Sequence, residues 1–445
     1  MKKVLILGAG MVVKPIVTYL LNKNYFVSVA SRTKSKADKM INGHSNGNSI
    51  AWTVDQETLL DEMIAEHDLT VSLLPYAHHV MVAKLCIKHG KNMVTTSYVQ
   101  PAMKELDGVA RDAGILILNE IGLDPGIDHM SAMRIIDNIH KKGGAVEEFY
   151  SFCGALVAPE VEKNPFCYKF SWAPKGVVMA GNNEGKYLRK GEIKYIPTED
   201  LFKNPIRLDF PEVGELEVYP NRDSLPYLNL YGIPEAKTMF RGTFRYKKWC
   251  EVLDAIKSLK LIAYDKLNLE GFSYAEFMSK MINENNSENI KDKVAARLDV
   301  SIDSNPIAAM EWLGLFSDEK MNRLEDSPFE VISDLMIEKM MIQEDERDMV
   351  VMQHTFVAKY ADGKREVIKS RMLDFGTLKT DTSIARTVAL PAACGVEMIL
   401  EGKINARGVH IPVIPEIYNP ILDQLETMDI EMVEEYGLPM SENIK

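Results

Sequence analysis

The feature that most constrains this chain is a buried strand, a glycine turn and a helix start within its first residues. Val4–Leu7 is apolar, Gly8 and Gly10 follow it, and Lys14-Pro15 opens a segment with apolar residues at helical spacing. Gly8 allows a tight turn, Gly10 leaves the backbone open to a pyrophosphate, and the N–H groups of the following helix attract the anion. This order predicts a dinucleotide-binding unit, against the alternative of a structural glycine turn.

The end of the second predicted strand indicates which dinucleotide binds. Phe26–Ala30 is followed by Ser31-Arg32-Thr33, where an NAD-specific protein would carry an acid for the ribose hydroxyls. Hydroxyl groups and a guanidinium suit the 2′-phosphate of NADP instead, since arginine offers a forked pair of donors to phosphate oxygens. We therefore predict NADP, and the competing interpretation is a solvated basic turn.

Composition limits the classes of protein that remain. The chain has 445 residues, which predicts two or three domains. Its formal net charge of -12 disfavours nucleic acid and anionic membranes as partners. The 5 cysteines form no CxxC pair, so neither a disulfide framework nor a thiol zinc site is indicated. We expect no membrane-spanning segment and no secretion signal, and hence a cytoplasmic protein.

Strands and helices alternate along the first part of the chain. The predicted helices are Gln56–Glu66, Ala77–His89 and Pro101–Ala113, and the predicted strands are Leu69–Leu74, Asn92–Thr96 and Ile115–Asn119. This βαβ rhythm predicts a doubly wound parallel sheet. Ligands bind such sheets beyond the carboxyl ends of the strands. The segments that end the strands are Leu74-Pro75-Tyr76, Thr96-Ser97-Tyr98 and Asn119–Gly126.

The rhythm changes after about Ile127. A segment rich in glycine, proline and aromatic residues runs to about Arg245, and a mostly helical stretch follows to about Asp345. A strand at Val350–Val357, a hairpin turn at Ala361–Lys364 and helices at Ala385–Glu401 and Tyr418–Met428 complete the prediction.

Several longer motifs carry a family resemblance. They are Thr95-Thr96-Ser97-Tyr98, Gly122-Leu123-Asp124-Pro125-Gly126-Ile127-Asp128-His129, Tyr168-Lys169-Phe170-Ser171-Trp172 and Pro220-Asn221-Arg222-Asp223-Ser224. With them the chain resembles the glutamate-forming saccharopine dehydrogenase family, and the matches cover nearly its whole length. The resemblance implies an NADP-dependent oxidoreductase acting on a C–N bond. Its members interconvert saccharopine with L-glutamate and 2-aminoadipate 6-semialdehyde in lysine metabolism.

The resemblance also implies an architecture. It predicts a Rossmann-type domain at 1–126 completed by 385–445, an inserted α/β substrate and dimerisation domain at 127–246 plus 346–384, and a helical domain at 247–345. A homodimer is expected on the same ground.

Site residues follow partly from the resemblance and partly from position. The nucleotide site is expected to contain Gly8, Gly10, Met11, Val12, Val13, Ser31, Arg32, Thr33, Leu74, Pro75, Leu123, Asp124, Pro125 and Ala173. The amino-acid site is expected to contain Ser97, Tyr98, Asp124, Arg222, Thr243, Phe244 and Arg245. Val13 stands where the glycine pattern usually has its third glycine, and at Ala173 the family often has serine.

The chemistry of the substrates suggests roles for some of these residues. Saccharopine carries three carboxylates, for which Arg222 and Arg245 offer forked donors. Asp124, Tyr98 and Cys153 are the candidates for the general acid or base that imine formation needs. Asp124 is alternatively a turn-forming residue that caps a backbone N–H, and Cys153 a small buried residue. Arg222 is alternatively half of a surface ion pair with Asp223.

Two further interpretations remain open from the sequence. His78, His79 and His129 have no carboxylate or thiol cluster at ligand spacing, so no metal is predicted and satisfied or solvent-facing histidines are expected. The function could also be that of a related imine-reducing dehydrogenase, such as carboxynorspermidine dehydrogenase, or of a non-catalytic NADP-binding protein.

Overall fold

A computed structural model describes residues 1–444 of the chain and divides it into two compact units. The first unit contains Met1–Glu147, Asn229–Glu235 and the chain from Met352 onward, and the second contains Glu148–Leu228 and Ala236–Val351. The predicted helical segment 247–345 falls within the second unit. The division into three domains stays a prediction.

Strands and helices have the following bounds. The strands are β1 (Lys3–Leu7), β2 (Phe26–Ser31), β3 (Gly47–Ala51), β4 (Leu69–Ser72), β5 (Asn92–Val94), β6 (Leu116–Leu118), β7 (Gly144–Val157), β8 (Gly185–Arg189), β9 (Glu192–Ile196), β10 (Ile206–Phe210), β11 (Gly214–Pro220), β12 (Thr238–Tyr246), β13 (Leu267–Asn268), β14 (Glu325–Asp326), β15 (Asp348–Tyr360), β16 (Arg365–Phe375), β17 (Gly408–His410) and β18 (Val433–Leu438). The α-helices are α1 (Lys14–Asn22), α2 (Lys34–Ile41), α3 (Glu57–Glu66), α4 (His79–His89), α5 (Pro101–Lys104), α6 (Asp107–Asp112), α7 (Ile127–Lys141), α8 (Pro174–Ala180), α9 (Pro226–Leu230), α10 (Trp249–Ser258), α11 (Tyr274–Met281), α12 (Ile290–Leu298), α13 (Asn305–Leu313), α14 (Pro328–Met340), α15 (Ser383–Leu400) and α16 (Pro415–Glu426).

The first unit is built on a parallel sheet, as the βαβ rhythm predicts. Its order is β17-β6-β5-β4-β1-β2-β3, and every neighbouring pair is parallel. From β1 the chain adds β2 and β3 on one side, and from β4 it adds β5 and β6 on the other, so the strand order reverses between β1 and β4. A doubly wound sheet opens a crevice at this point, at the carboxyl ends of its strands. The predicted Rossmann-type fold is therefore confirmed. Strand β17, from the C-terminal part of the chain, extends this sheet beyond β6.

The central strands are apolar because both of their faces are covered. Val4, Leu5, Ile6 and Leu7 are fully buried, as expected for a parallel sheet with helices on both sides. Helix α15 is 18 residues long, and by length and composition it is apolar enough to cross a membrane. The expectation that no segment reaches this length and composition is therefore wrong. Yet 83% of it is buried inside the protein, so its apolar composition is that of a core helix.

Most predicted elements are confirmed within a few residues, with two differences. Pro101–Ala113 forms the two short helices α5 and α6 instead of one. The chain after Ile127, where the rhythm appears to break, begins with the 15-residue helix α7. Ten residues of α7 are buried, including the polar Asp128 and His129.

The second unit contains strands β8 to β12 of a mixed sheet and the helices α8 and α10 to α14. Strand β11 is antiparallel to both β10 and β12, whereas β12 is parallel to β7. In β12, Phe240 and Phe244 are fully buried side chains that meet Phe152 of β7 edge to face. Because side chains alternate along a strand, Thr243 and Arg245 lie on the opposite face of β12 from these phenylalanines.

Candidate functional site

The glycine turn after β1 has the geometry that a nucleotide cradle requires. Gly8 has φ +112°, and a Cβ there would lie 2.8 Å from the carbonyl oxygen of Leu73. A side chain at this position would thus clash with the backbone of Leu73, and its own backbone conformation would be strained. At Gly10, in contrast, a Cβ would have nothing within 4 Å, so open space lies over the backbone. Val13, in place of the third glycine, is buried.

The strand end that predicts NADP is exposed and carries no acid. Arg32 and Thr33 are exposed, and Ser31 is half-buried, its hydroxyl accepting the N–H of Thr33 at 3.3 Å. No hydrogen bond or ion pair within residues 1–444 holds the Arg32 guanidinium. The open turn follows β1 and Arg32 follows β2, and these two strands are parallel neighbours. The turn and the guanidinium fit a dinucleotide with a 2′-phosphate.

The remaining predicted nucleotide residues are split between the units. Met11, Val12, Leu74, Pro75, Leu123, Asp124 and Pro125 belong to the first unit, at or after the carboxyl ends of β1, β4 and β6, and Ala173 precedes α8 in the second unit. The peptide bond between Asp124 and Pro125 is cis.

A cluster of polar side chains follows β4 and β5; we call Ser72, His79, Thr95 and Ser97 the strand-end cluster. Nδ1 of His79 lies 2.9 Å from the Ser72 hydroxyl, and Nε2 lies 2.8 Å from that of Ser97 and 3.3 Å from that of Thr95. His79 is only 3% exposed. Burial is the main cause that lowers the pKa of His79 to about 4, so the ring is neutral at neutral pH. The expectation of a satisfied histidine is confirmed here.

Two predicted active-site residues meet directly. The hydroxyl of Tyr98 donates to Oδ1 of Asp124 at 3.0 Å. Tyr98 follows β5 and Asp124 follows β6, so the pair lies where two neighbouring parallel strands end. In the turn that follows, Asp128 accepts the N–H of Gly126 at 2.6 Å. The carboxylate of Asp128 therefore caps a backbone N–H of this motif. The choice between catalysis and capping for Asp124 stays a prediction.

Three buried ionisable groups, Glu120, His129 and Tyr231, are connected in a row by hydrogen bonds. We call them the Glu120 relay. Oε2 of Glu120 lies 2.8 Å from Nε2 of His129, whose Nδ1 lies 2.6 Å from the Tyr231 hydroxyl. Glu120 is 6% exposed and His129 is 0% exposed. The sequence suggested neither Glu120 nor Tyr231 as a functional residue. Position at a strand end could have found Glu120, but no local signal marks Tyr231.

The second unit contains a buried arginine surrounded by aromatic rings; we call Arg245, Tyr168, Tyr219 and Trp249 the arginine cluster. The Arg245 guanidinium carbon lies 4.9 Å from the ring centre of Tyr168, 5.8 Å from that of Tyr219 and 5.3 Å from that of Trp249. Arg245 is 4% exposed and donates from Nη1 to the carbonyl oxygen of Phe244 at 2.8 Å. No acidic side chain within residues 1–444 pairs with it, and its Nε has no hydrogen-bond partner there. Such a group retains the capacity to bind an anion.

The other predicted residues of the second unit lie on β7, on β12 and after β11. Cys153 is buried in β7, in register with Thr243 of β12. Phe244 was predicted in the amino-acid site, but its side chain lies in the aromatic core on the opposite face, so only its backbone could contact a ligand. Arg222 is exposed, and its neighbour Asp223 pairs with Lys186 at 3.4 Å.

The histidines of residues 1–444 are not part of a group that could hold a metal ion. Within residues 1–444 no group of three or more histidine, cysteine, aspartate or glutamate side chains is arranged to hold an ion. His129 is fully buried and hydrogen-bonded, as expected for a satisfied histidine.

Family models match the chain in two adjoining segments. Residues 4–118 match the saccharopine dehydrogenase NADP binding domain, and residues 122–430 match the saccharopine dehydrogenase C-terminal domain. The first match covers six of the seven strands of the parallel sheet, together with the glycine turn and the acid-free strand end, which supports the prediction of NADP.

Full-length relatives extend this finding. The chain is 37% identical to saccharopine dehydrogenase [NADP(+), L-glutamate-forming] of Schizosaccharomyces pombe, over 98% of this chain and 99% of that protein. It is 37% identical to the mitochondrial alpha-aminoadipic semialdehyde synthase of Mus musculus, over 96% of this chain and 47% of that protein. The structure of apo saccharopine dehydrogenase (L-Glu forming) from Saccharomyces cerevisiae matches with a TM-score of 0.90 at 34% identity, covering 98% of this chain and 100% of that chain.

Proposed function

The chain belongs to the saccharopine dehydrogenase family, and we propose that it interconverts saccharopine with L-glutamate and 2-aminoadipate 6-semialdehyde, using NADP(H). The hydrogen-bonded pair of Tyr98 and Asp124, at the carboxyl ends of neighbouring parallel strands, is the observation that carries this proposal. Relatives of nearly identical length, named for this reaction, support it. The related imine-reducing dehydrogenases and the non-catalytic alternative have no comparable support.

Proton movement is the part of the reaction that the side chains would perform. Bound NADP(H) supplies the hydride chemistry, and the protein positions the reactants. Imine formation and hydrolysis require protons to be added and removed around nitrogen. Tyr98 and Asp124 share one hydrogen bond at 3.0 Å, so a proton taken up by one can pass to the other. Cys153 stays a candidate for the same work.

Carboxylate recognition would fall to the arginines. Saccharopine and glutamate carry several carboxylates, and forked hydrogen bonds to a guanidinium recognise them with defined geometry. Arg245 supports this role because it is buried without an acidic partner among residues 1–444. We assign Arg222 to the same task on the family resemblance. Arg32 is assigned to the 2′-phosphate of NADP.

We also propose a homodimer in the cytoplasm. The family resemblance supports the dimer, and the scattered free cysteines support a reducing compartment. Sedimentation velocity of the purified protein tests the first part, with a monomer as the contradicting result. Imaging of a C-terminally tagged chain in its own cells tests the second, with signal confined to an organelle contradicting it.

A direct assay tests the function. The purified protein is mixed with NADPH, 2-aminoadipate 6-semialdehyde and glutamate, and NADPH absorbance is followed. Loss of absorbance only in the complete mixture supports the proposal. Parallel reactions replace NADPH with NADH, omit glutamate, or replace glutamate with a diamine.

Each control has its own meaning. Equal use of NADH contradicts the role given to Ser31-Arg32-Thr33. Turnover with the diamine alone indicates a related imine-reducing dehydrogenase. No turnover with any amine, together with tight NADPH binding, favours the non-catalytic alternative.

A further inference from the structure

Glu120 binds the chain on both sides of Tyr98. Its backbone N–H donates to the carbonyl oxygen of Ser97 at 3.2 Å, and its Oε1 accepts the N–H of Val99 at 2.9 Å. Ser97 and Val99 are the two neighbours of Tyr98 in the chain. One residue therefore fixes the backbone that carries the Tyr98 ring, and with it the position of the hydroxyl that bonds to Asp124.

The carboxylate of Glu120 is itself fixed by His129 and Tyr231. An ionised carboxylate only accepts hydrogen bonds, so Nε2 of His129, 2.8 Å away, carries the hydrogen that faces it. On the other side of the ring, Nδ1 lies 2.6 Å from the Tyr231 hydroxyl and 3.7 Å from Oδ2 of Asp128. These contacts hold the His129 ring in one orientation, with Nε2 directed at Glu120. The carboxylate keeps its second oxygen for the N–H of Val99.

The backbone of Glu120 is held in an uncommon conformation. Its φ is +57°, in the left-handed region that residues other than glycine seldom adopt. Its carboxylate is also buried, which is unfavourable unless hydrogen bonds compensate. Strain and burial persist only where the surroundings fix the geometry, and such positions are concentrated at functional sites.

We propose that Glu120 is a positioning residue for Tyr98, and that His129 and Tyr231 hold its carboxylate in the orientation this requires. Glu120 acts through the backbone of residues 97–99 and not on the substrate. The expected effect of Glu120 on rate rests on the proposed function, because Tyr98 affects the rate only if it moves a proton in that reaction. The expected effect of Glu120 on the backbone of residues 97–99 is independent of the function.

The test begins with Glu120→Gln in the full-length protein. An amide offers one acceptor oxygen and one donor group where the carboxylate offers two acceptors. It faces two donors, the N–H of Val99 and Nε2 of His129, so one of these contacts is lost. Amide hydrogen exchange of the segment 95–100, measured by mass spectrometry without substrate, should become at least tenfold faster.

Kinetics supply the second readout. In Glu120→Gln, kcat should fall about 10- to 100-fold, since small misplacement of a catalytic group has effects of this size. The KM for NADPH should stay within about twofold. His67→Gln is the matched control. His67 is also buried in the first unit, where it bonds to the Ser28 hydroxyl at 2.8 Å, away from the relay.

A double variant separates positioning from general damage. If Glu120 acts through Tyr98, Glu120→Gln should lower kcat little further in a Tyr98→Phe background. A full additive loss would overturn the proposal, as would unchanged exchange of residues 95–100. If Glu120→Gln fails to fold, Tyr231→Phe removes the outermost hydroxyl of the relay. It should change exchange and kcat in the same direction by a smaller factor, and no change in either then overturns the proposal. A wild-type protein without turnover refutes the proposed function, and the exchange result still decides the role of Glu120.

Discussion

The strand-end cluster of the first unit and the arginine cluster of the second unit stabilise buried polar groups in opposite ways. His79 is surrounded by hydroxyl groups that complete its hydrogen bonds. Arg245 has the faces of three aromatic rings around its guanidinium and one hydrogen bond to a carbonyl. The first arrangement keeps an ionisable group neutral and oriented. The second keeps a charge in place with its hydrogen-bonding capacity largely unused, which suits a group that waits for an anionic ligand.

The largest expected effect comes from Arg245→Met. Removing the guanidinium should raise the KM for glutamate or saccharopine about 100-fold or more, because a buried forked contact to a carboxylate is lost. The KM for NADPH should change little. Thermal stability should change little, since the cost of burying the charge and the contacts of the guanidinium with three rings and the Phe244 carbonyl are lost together.

Arg245→Lys is the matched control for that variant. It keeps the charge and loses the planar fork, so we expect an intermediate loss of about tenfold. Equal losses for substrate and NADPH would show that Arg245 supports the fold instead of binding the substrate.

The next effect concerns the acid sensitivity of the strand-end cluster. The pKa of His79 is lowered to about 4, mainly by burial, whereas the unfolded chain titrates near ~6.5. The unfolded state therefore binds the proton first, and the stability that neutral His79 contributes is present above pH ~6.5 and is lost as the pH falls towards 4. Between pH 7 and 5 the loss should be about 2 kcal/mol.

Urea unfolding of the wild type and of His79→Gln at the two pH values measures this effect. Glutamine can bond to the same hydroxyls but does not titrate, so His79→Gln should lose about 2 kcal/mol less than the wild type between pH 7 and 5. His410→Gln, at a half-buried position, should behave like the wild type. The same acid loss in His79→Gln and the wild type would contradict the assignment.

A smaller effect is expected at the exposed arginine. Arg32→Ala should raise the KM for NADPH about tenfold and leave the KM for NADH unchanged, since only NADPH has the 2′-phosphate. Salt should weaken the wild-type preference for NADPH, because an exposed charge is screened. Lys39→Ala, at an exposed position further along α2, is the control. If Arg32→Ala changes both cofactors alike, Arg32 does not read the phosphate.

The smallest expected effect is a loss of stability at alkaline pH that arises from Tyr168 in the arginine cluster. Burial raises the pKa of Tyr168, partly offset by Arg245. The folded state holds the phenolic proton more tightly than the unfolded state, so stability is lost as the pH rises above ~10. Tyr168→Phe should reduce the loss between pH 8 and 10.5 by less than about 1 kcal/mol. Tyr76→Phe, at an exposed tyrosine, should leave the loss of stability unchanged. Equal behaviour of the two variants would contradict the assignment of this alkaline loss to the buried Tyr168.

The sequence predicted the parts of the site that rest on local chemistry. Gly8 and Gly10 predict a turn open to a ligand because no other residue combines such a backbone with so little bulk. Tyr98 and Asp124 are candidates on the family resemblance and also because both follow predicted strands, which end at one edge of a parallel sheet. Phe244 rests on the family resemblance alone, and alternation along β12 directs its side chain into the core.

Composition and local pattern by themselves determined the fold class, the dinucleotide turn and the absence of an acid after β2. These properties depend on backbone conformation and on which side chains follow a strand, and both are encoded within a few residues. Only the tertiary structure decided that Glu120 bonds to both neighbours of Tyr98, and that Tyr231 reaches His129 from a distant part of the chain. Such contacts depend on packing between elements far apart in sequence, and no local pattern carries that information.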